Sequence, residues 1–145
     1  RNKEGFFVVD ALIGAQRDVA KLYLNLDNDG GHALWPPARH PHNDKTLEAS
    51  SPHKNVNMFT LDHFKVHQPT VIKIDTEGAE YEVLKGAEAI LAQPQLRLVI
   101  CELNHFGLAQ MGADESSIRG LMLRHGFSAP HNPDENVGNL FFTRV

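Results

Sequence analysis

The sequence predicts an α/β fold, on three observations. The stretch "TVIKIDTEGAEYEVLKGAEAIL" (Thr70 to Leu91) passes from a short apolar run through three carboxylates into helical spacing. A second apolar run, "LRLVICEL", follows, and together they read as a βαβ unit of about thirty residues with the usual right-handed crossover. After a further helical stretch, "GFSA" and "GNLFFTRV" add two closing strands. The 145 residues fit one domain. A domain of that size buries roughly 68–70% of the surface its unfolded chain exposes, enough for a core without disulfides.

"GFFVVDALIG" (Gly5 to Gly14) reads as a buried strand, because Phe6, Phe7, Val8 and Val9 are consecutive. "VAKLYLNL" (Val19 to Leu26) alternates Leu22, Leu24 and Leu26 with Lys21, Tyr23 and Asn25, the pattern of a strand with one wet face. "DNDGG" supplies turn residues. A long Pro/His-rich loop occupies residues 36–55, and its densest part, Pro36 to Pro52, holds four of the eight prolines. Loops of that length inside a compact domain are commonly functional. "NVNMF" is a short strand, and Thr60 an N-cap for a short helix that ends before Pro69. Ala79 to Ala92 is a helix with Ala79, Val83, Leu84, Ala87 and Leu91 on one face, stopped by Pro94. "LRLVICEL" has the composition of a strand buried on both faces. The last helix runs from about Glu115 to His125 with Gly126 as its C-cap, and "PHNPDENV" joins the closing strands.

Composition narrows the function. Hydrophobic residues make up 41%, charged residues 22%, and the net charge is −4, which gives no nucleic-acid or membrane surface. No apolar run approaches the ~20 residues that cross a bilayer, and no charged-then-apolar segment at the start reads as a signal peptide. The one cysteine, Cys101, lies in an apolar run, as a small core residue in a reducing compartment would. Cytoplasmic localisation is the expectation. The first residue is Arg1, so the chain is expected to be a processed or partial product.

Chemistry is concentrated at the acidic turn. In an open parallel sheet, ligands sit outside the carboxyl ends of the strands. Asp75 ends one strand and Glu102 the next. Adjacent strands lie ~4.8 Å apart, so as neighbours these two carboxylates could share a hydroxyl, a cation or a proton. His105, just past the second strand tip, could be a general base for a hydroxyl, a role for which histidine is the commonest side chain. Glu80 and Glu82 are read as complements to the helix dipole. Glu77 stands open between that role and a functional one. Gly78 would let a backbone or ligand approach closely. His32, His40 and His42 lie in a proline-rich segment without the partners of a metal site, and no metal is expected. Trp35 is open between stacking on a ligand and closing the core.

"IKIDTEGAEYEVLKGA" resembles the hallmark of the FkbM-type methyltransferases: Lys73, Ile74 and Asp75, then Glu77, Gly78 and Glu80, then Leu84, Lys85 and Gly86. "FTLDHF" is similar to the family's upstream Thr-Leu-Asp element, through Thr60, Leu61 and Asp62, and the likeness runs from about Val8 to Phe127. It implies a Rossmann-like class I methyltransferase sheet, S-adenosylmethionine (SAM) as cofactor, and O-methyl transfer to a small-molecule or sugar hydroxyl. By this resemblance Asp75, Glu102 and His105 are the catalytic candidates, and Asp75, Glu77 and Gly78 the cofactor-binding ones.

The family's glycine-rich turn, Asp-x-Gly-Ala-Asn-x-Gly, is not among these residues. In "VVDALIG", Asp10 and Gly14 are present without the inner glycine. The chain is therefore expected to be a single partial domain whose sheet, of family order 3-2-1-4-5-7-6, lacks its first two strands. That would leave the strand Val71 to Asp75 as an edge, predicting either a homodimer through it or a rearranged hairpin over residues 6–26. A catalytically inactive α/β interaction module pairing through that edge is the alternative function. A hydrolase using Asp75 and Glu102 as paired carboxylates would need separations that sequence does not supply.

Overall fold

The computed structural model describes residues 5, 8–26, 30–40, 51–130 and 138–145, and it is mixed α/β with two small sheets. The first sheet contains β1 (Leu12–Ile13), β2 (Asp18–Tyr23) and β3 (His53–Phe59) in the order β1-β3-β2. β3 runs parallel to β1 and antiparallel to β2. The second contains β4 (Val71–Ile74), β5 (Leu98–Glu102), β6 (Phe127–Ser128) and β7 (Asn139–Arg144) in the order β4-β5-β7-β6. β4 and β5 are parallel, and the other two pairings are antiparallel. Among the described residues there are four short α-helices: α1 (Glu80–Lys85), α2 (Glu88–Leu91), α3 (His105–Gln110) and α4 (Glu115–Arg124).

The core forms where the helical faces meet the second sheet. Val83, Leu84, Ala87 and Leu91 pack with Val99 and Cys101 of β5, Ile118, Leu121 and Met122 of α4, and Phe127 and Phe142. Burying a side chain of the Leu or Phe class contributes about 1.5–3 kcal/mol, so this cluster dominates the stability. Arg144 closes its lower end. Its guanidinium donates to the carbonyls of Leu91 (3.0 Å), Gln93 (2.8 Å) and Leu96 (3.2 Å) and lies over the Phe127 ring, 4.4 Å from its centroid.

The helix expected over Ala79 to Ala92 is two helices, with the break at Gly86 and Ala87. A Cβ on Gly86 would run into the Gly14 carbonyl and Thr60, so at Gly86 the helical chain passes hard against the first sheet. The Gly86 carbonyl accepts the Asp62 N–H at 2.9 Å. The Asp62 carboxylate in turn accepts the N–H groups of Ala89 and Ile90, both at 2.9 Å, and restarts the helix. Asp62 is thus an N-cap supplied from a distant element, satisfying donors that a helix start leaves free. The predicted apolar face survives the break intact, fully turned to the core.

Several expectations need correction. Only Leu12–Ile13 of the Gly5–Gly14 segment is strand, and Val8 and Val9 are exposed because no second element covers them among the described residues; Phe6 and Phe7 lie outside those residues. Among the described residues of the 6–26 segment no hairpin forms. Residues 14–17 carry the chain across the end of β3, so β1 and β2 pair with opposite sides of β3 and not with each other. β5 buries one face fully, through Val99 and Cys101, while Leu98, Ile100 and Glu102 stay partly exposed. Thr60 makes no side-chain cap; a 3-10 helix over Leu61–His67 follows it and ends at Gln68 in the left-handed region. Within the stretch read as loop, Pro37–Arg39 forms a 3-10 turn and β3 already begins at His53. Residues 41–50 and the "HNPDENV" part of the last connection lie outside the described residues. α3 was not foreseen. Among the described residues β4 lies at the edge of its sheet, with Val71 half exposed. No helix among the described residues is long and apolar enough to cross a membrane.

Candidate functional site

The parallel register of β4 and β5 pairs Ile74 with Cys101, which brings the next residues, Asp75 and Glu102, side by side at the strand tips. Both carboxylates are a little under half exposed. Lys73, two residues before Asp75 and so on the same face of the strand, bridges them. Its Nζ lies 2.8 Å from Asp75 Oδ2 and 3.2 Å from Glu102 Oε2. The Asp75 hydrogen bond, and then that of Glu102, raises the ammonium above its ordinary pKa. Lysine therefore holds the two carboxylates in fixed relation across the strand pair.

These tips open into a cleft of about 300 Å³ lined by Asp75, Glu77, Glu102, Leu103, Asn104, His105 and Gly138. His105 is the first residue of α3 and largely exposed, its Nε2 4.0 Å from Glu115 Oε2. Asn104 caps α3: its Oδ1 accepts the Gly107 N–H at 2.8 Å, and its Nδ2 donates to Glu77 Oε2 at 2.7 Å. Three candidate catalytic residues, Asp75, Glu102 and His105, thus share one cleft with Glu77.

The rest of the acidic turn is architecture. Glu77 sits at φ +53°, a left-handed conformation that costs a non-glycine residue about 1–2 kcal/mol. It is held there by Asn104 and by the Trp35 indole, whose Nε1–H donates to the Glu77 carbonyl at 2.7 Å. Trp35 is buried and packs edge-on to Phe106, with ring centroids 5.4 Å apart, so it closes the core beneath the turn. Gly78 does not reach the cleft. It is buried at φ +104°, and a Cβ there would strike the backbone of Gly107 in α3. The close approach read from sequence is therefore to another backbone, that of Gly107.

Glu80 has a different role from the dipole complement expected. It is fully buried, and its Oε1 accepts the N–H of Gly78 (2.9 Å), the N–H of Thr76 (3.2 Å) and the Thr76 hydroxyl (3.2 Å). Burial pushes its carboxyl above the ordinary value, and Oε2 has no hydrogen-bond partner among the described residues. Glu82 pairs with Lys85 at 2.6 Å on the helix surface. Cys101 is buried, and burial together with Glu80 pushes its thiol up to about 12, so it remains an unionised core residue.

Lys73 and Asn104 have no place in the site read from sequence, and of the two roles open for Trp35 the structure shows core closure. Lys73 was legible from the period of two along a strand; Asn104 could have been read as an N-cap. The Trp35 bond spans 42 residues and left no local signal. Of the loop histidines, His32 Nδ1 accepts the Asn25 N–H at 3.1 Å and His40 packs on Phe106 at 4.9 Å; His42 lies outside the described residues. Among the described residues no three His, Cys, Asp or Glu side chains are grouped to hold a metal.

The sequence matches the family model described as the methyltransferase FkbM domain over residues 2–129. No curated protein and no solved structure matches significantly. The match takes in β1 to β6, all four helices and every cleft-lining residue but Gly138, and on that extent the chain belongs to the FkbM methyltransferase family.

Proposed function

We propose that the cleft at the β4 and β5 tips is the acceptor side of a SAM-dependent O-methyltransferase. The observation that carries this reading is the pairing of Asp75 and Glu102 across two parallel strands, with His105 on the same cleft wall. Asp75 and Glu102 accept from an acceptor hydroxyl and orient it, and His105 removes its proton. The acceptor is a small molecule or sugar bearing that hydroxyl. SAM, when bound, supplies an electrophilic methyl group. The donor set fits part of it: the lining is anionic, and an ammonium or a sulfonium is attracted to carboxylates such as Asp75 and Glu77. The volume is at the low end of the ~300–1,000 Å³ of small-molecule sites.

The order β4-β5-β7-β6, with β7 antiparallel, supports assigning this sheet to the 4-5-7-6 half of a Rossmann-like methyltransferase sheet. The single buried thiol supports a cytoplasmic setting. Calorimetric titration with S-adenosylhomocysteine tests the reading. Saturable heat that Asp75→Asn diminishes supports it; a folded chain giving no saturable heat contradicts it.

A second reading rests on the free side of β4, where Val71 is half exposed. An edge with unpaired backbone groups recruits another strand. In this reading the chain is a catalytically inactive module that pairs through β4, most simply with a second copy. Sedimentation of the wild type against Val71→Pro distinguishes the two, since the Val71 N–H points away from β5 and proline there removes an edge donor and blocks strand addition.

A further inference from the structure

A second cavity, of about 510 Å³, opens between the three-stranded sheet and the helical side of the molecule. It shares no lining residue with the acidic cleft. Its apolar wall includes Leu34, Met58 of β3 and Met111 beyond α3. Methionine walls adapt to a ligand's shape and favour aromatic rings. The volume falls within the range of small-molecule sites, ~300–1,000 Å³.

Charge decides what enters. Two cations line the cavity, Lys21 and Lys85. Lys85 is already neutralised by Glu82 at 2.6 Å and lies over the Tyr81 ring. Lys21, on β2, is exposed and has no carboxylate partner among the described residues. Among the described residues the cavity therefore carries one uncompensated positive charge beside an apolar wall. The acidic cleft has the opposite sign and would repel an anion.

We propose that this cavity binds a small organic monoanion with an aromatic body, an aryl-alkyl carboxylate, with its ring against Met58 and Met111 and its carboxylate on Lys21. The site stands independently of methyl transfer.

The test is a titration of the full chain with 4-phenylbutanoate, followed by NMR of ¹³C-methyl methionine. The chain has three methionines. Met58 and Met111 line the cavity, whereas Met122 is buried in the core and serves as the internal control. Saturable shifts are expected at Met58 and Met111 and none at Met122. Lys21→Met should weaken 4-phenylbutanoate about tenfold, the loss of roughly one charged hydrogen bond, and leave the neutral 4-phenylbutanamide unchanged. Lys21 is exposed, so this variant keeps the fold. Ala20→Phe, which fills the cavity, should abolish both. The proposal is overturned by the absence of saturable shifts, by equal shifts at Met122, or by unchanged carboxylate affinity in Lys21→Met.

Discussion

The Glu80 carboxylate accepts the Gly78 N–H at 2.9 Å from a fully buried position. That bond separates the acidic stretch into two parts with different work. Gly78 and Glu80 face inward and build the turn, while Asp75 and Glu77 line the cleft beside Glu102.

Glu80 gives the fold a pH dependence of known sign. Burial raises its folded-state pKa above the ordinary 4.5, so the folded chain holds the proton more tightly than the unfolded chain. The stability it contributes is complete below that ordinary value and declines as pH rises through the folded-state pKa. Glu80→Gln removes the titration. Urea midpoints across a pH series should show wild type losing stability relative to Glu80→Gln as pH increases; a difference independent of pH would sink the assignment.

Gly78→Ala should cost more than about 3 kcal/mol, because the new Cβ meets the Gly107 backbone and φ +104° is strained for any L side chain. Urea unfolding measures this. A loss below about 1 kcal/mol, the conformational term alone, would mean that α3 yields and the packing is not tight.

Asp62→Ala should cost about 1–2 kcal/mol by leaving the Ala89 and Ile90 donors without a cap. Asp62→Asn, which keeps an acceptor, should recover part of it. Equal losses in the two variants would point to charge alone.

Sequence made much of this visible, and its limits have physical causes. The core face of residues 79–92 was readable from spacing because burial follows the 3.6-residue period whether or not the helix is continuous. The break was not, because it depends on Gly14 and Asp62, distant in sequence and adjacent only in space. The pairing of Asp75 with Glu102 followed from the βαβ pattern, since parallel neighbours align their tips. Glu80 was misjudged for the opposite reason: its first-turn position fits a dipole complement, and only burial shows that it bonds backward to Thr76 and Gly78. β1 and β2 looked like a hairpin because they are close in sequence, yet β3 inserts between them.

Arg144→Lys should be nearly as damaging as Arg144→Ala, at about 2–3 kcal/mol. The planar guanidinium reaches the carbonyls of Leu91, Gln93 and Leu96 while stacking on Phe127, and a single ammonium cannot span that geometry. Thermal unfolding of both variants checks this. A lysine variant as stable as wild type would show that charge, not the fork, is what matters.

The most direct test of the divided turn is the urea unfolding of Asp75→Asn beside Glu80→Ala. Asp75→Asn changes a half-exposed group and should leave the midpoint at the wild-type value. Glu80→Ala strands the buried N–H of Gly78 and the half-buried N–H of Thr76 and should lose about 2–4 kcal/mol. If Asp75→Asn unfolds as early as Glu80→Ala, or Glu80→Ala unfolds with wild type, the division between architecture and chemistry is wrong.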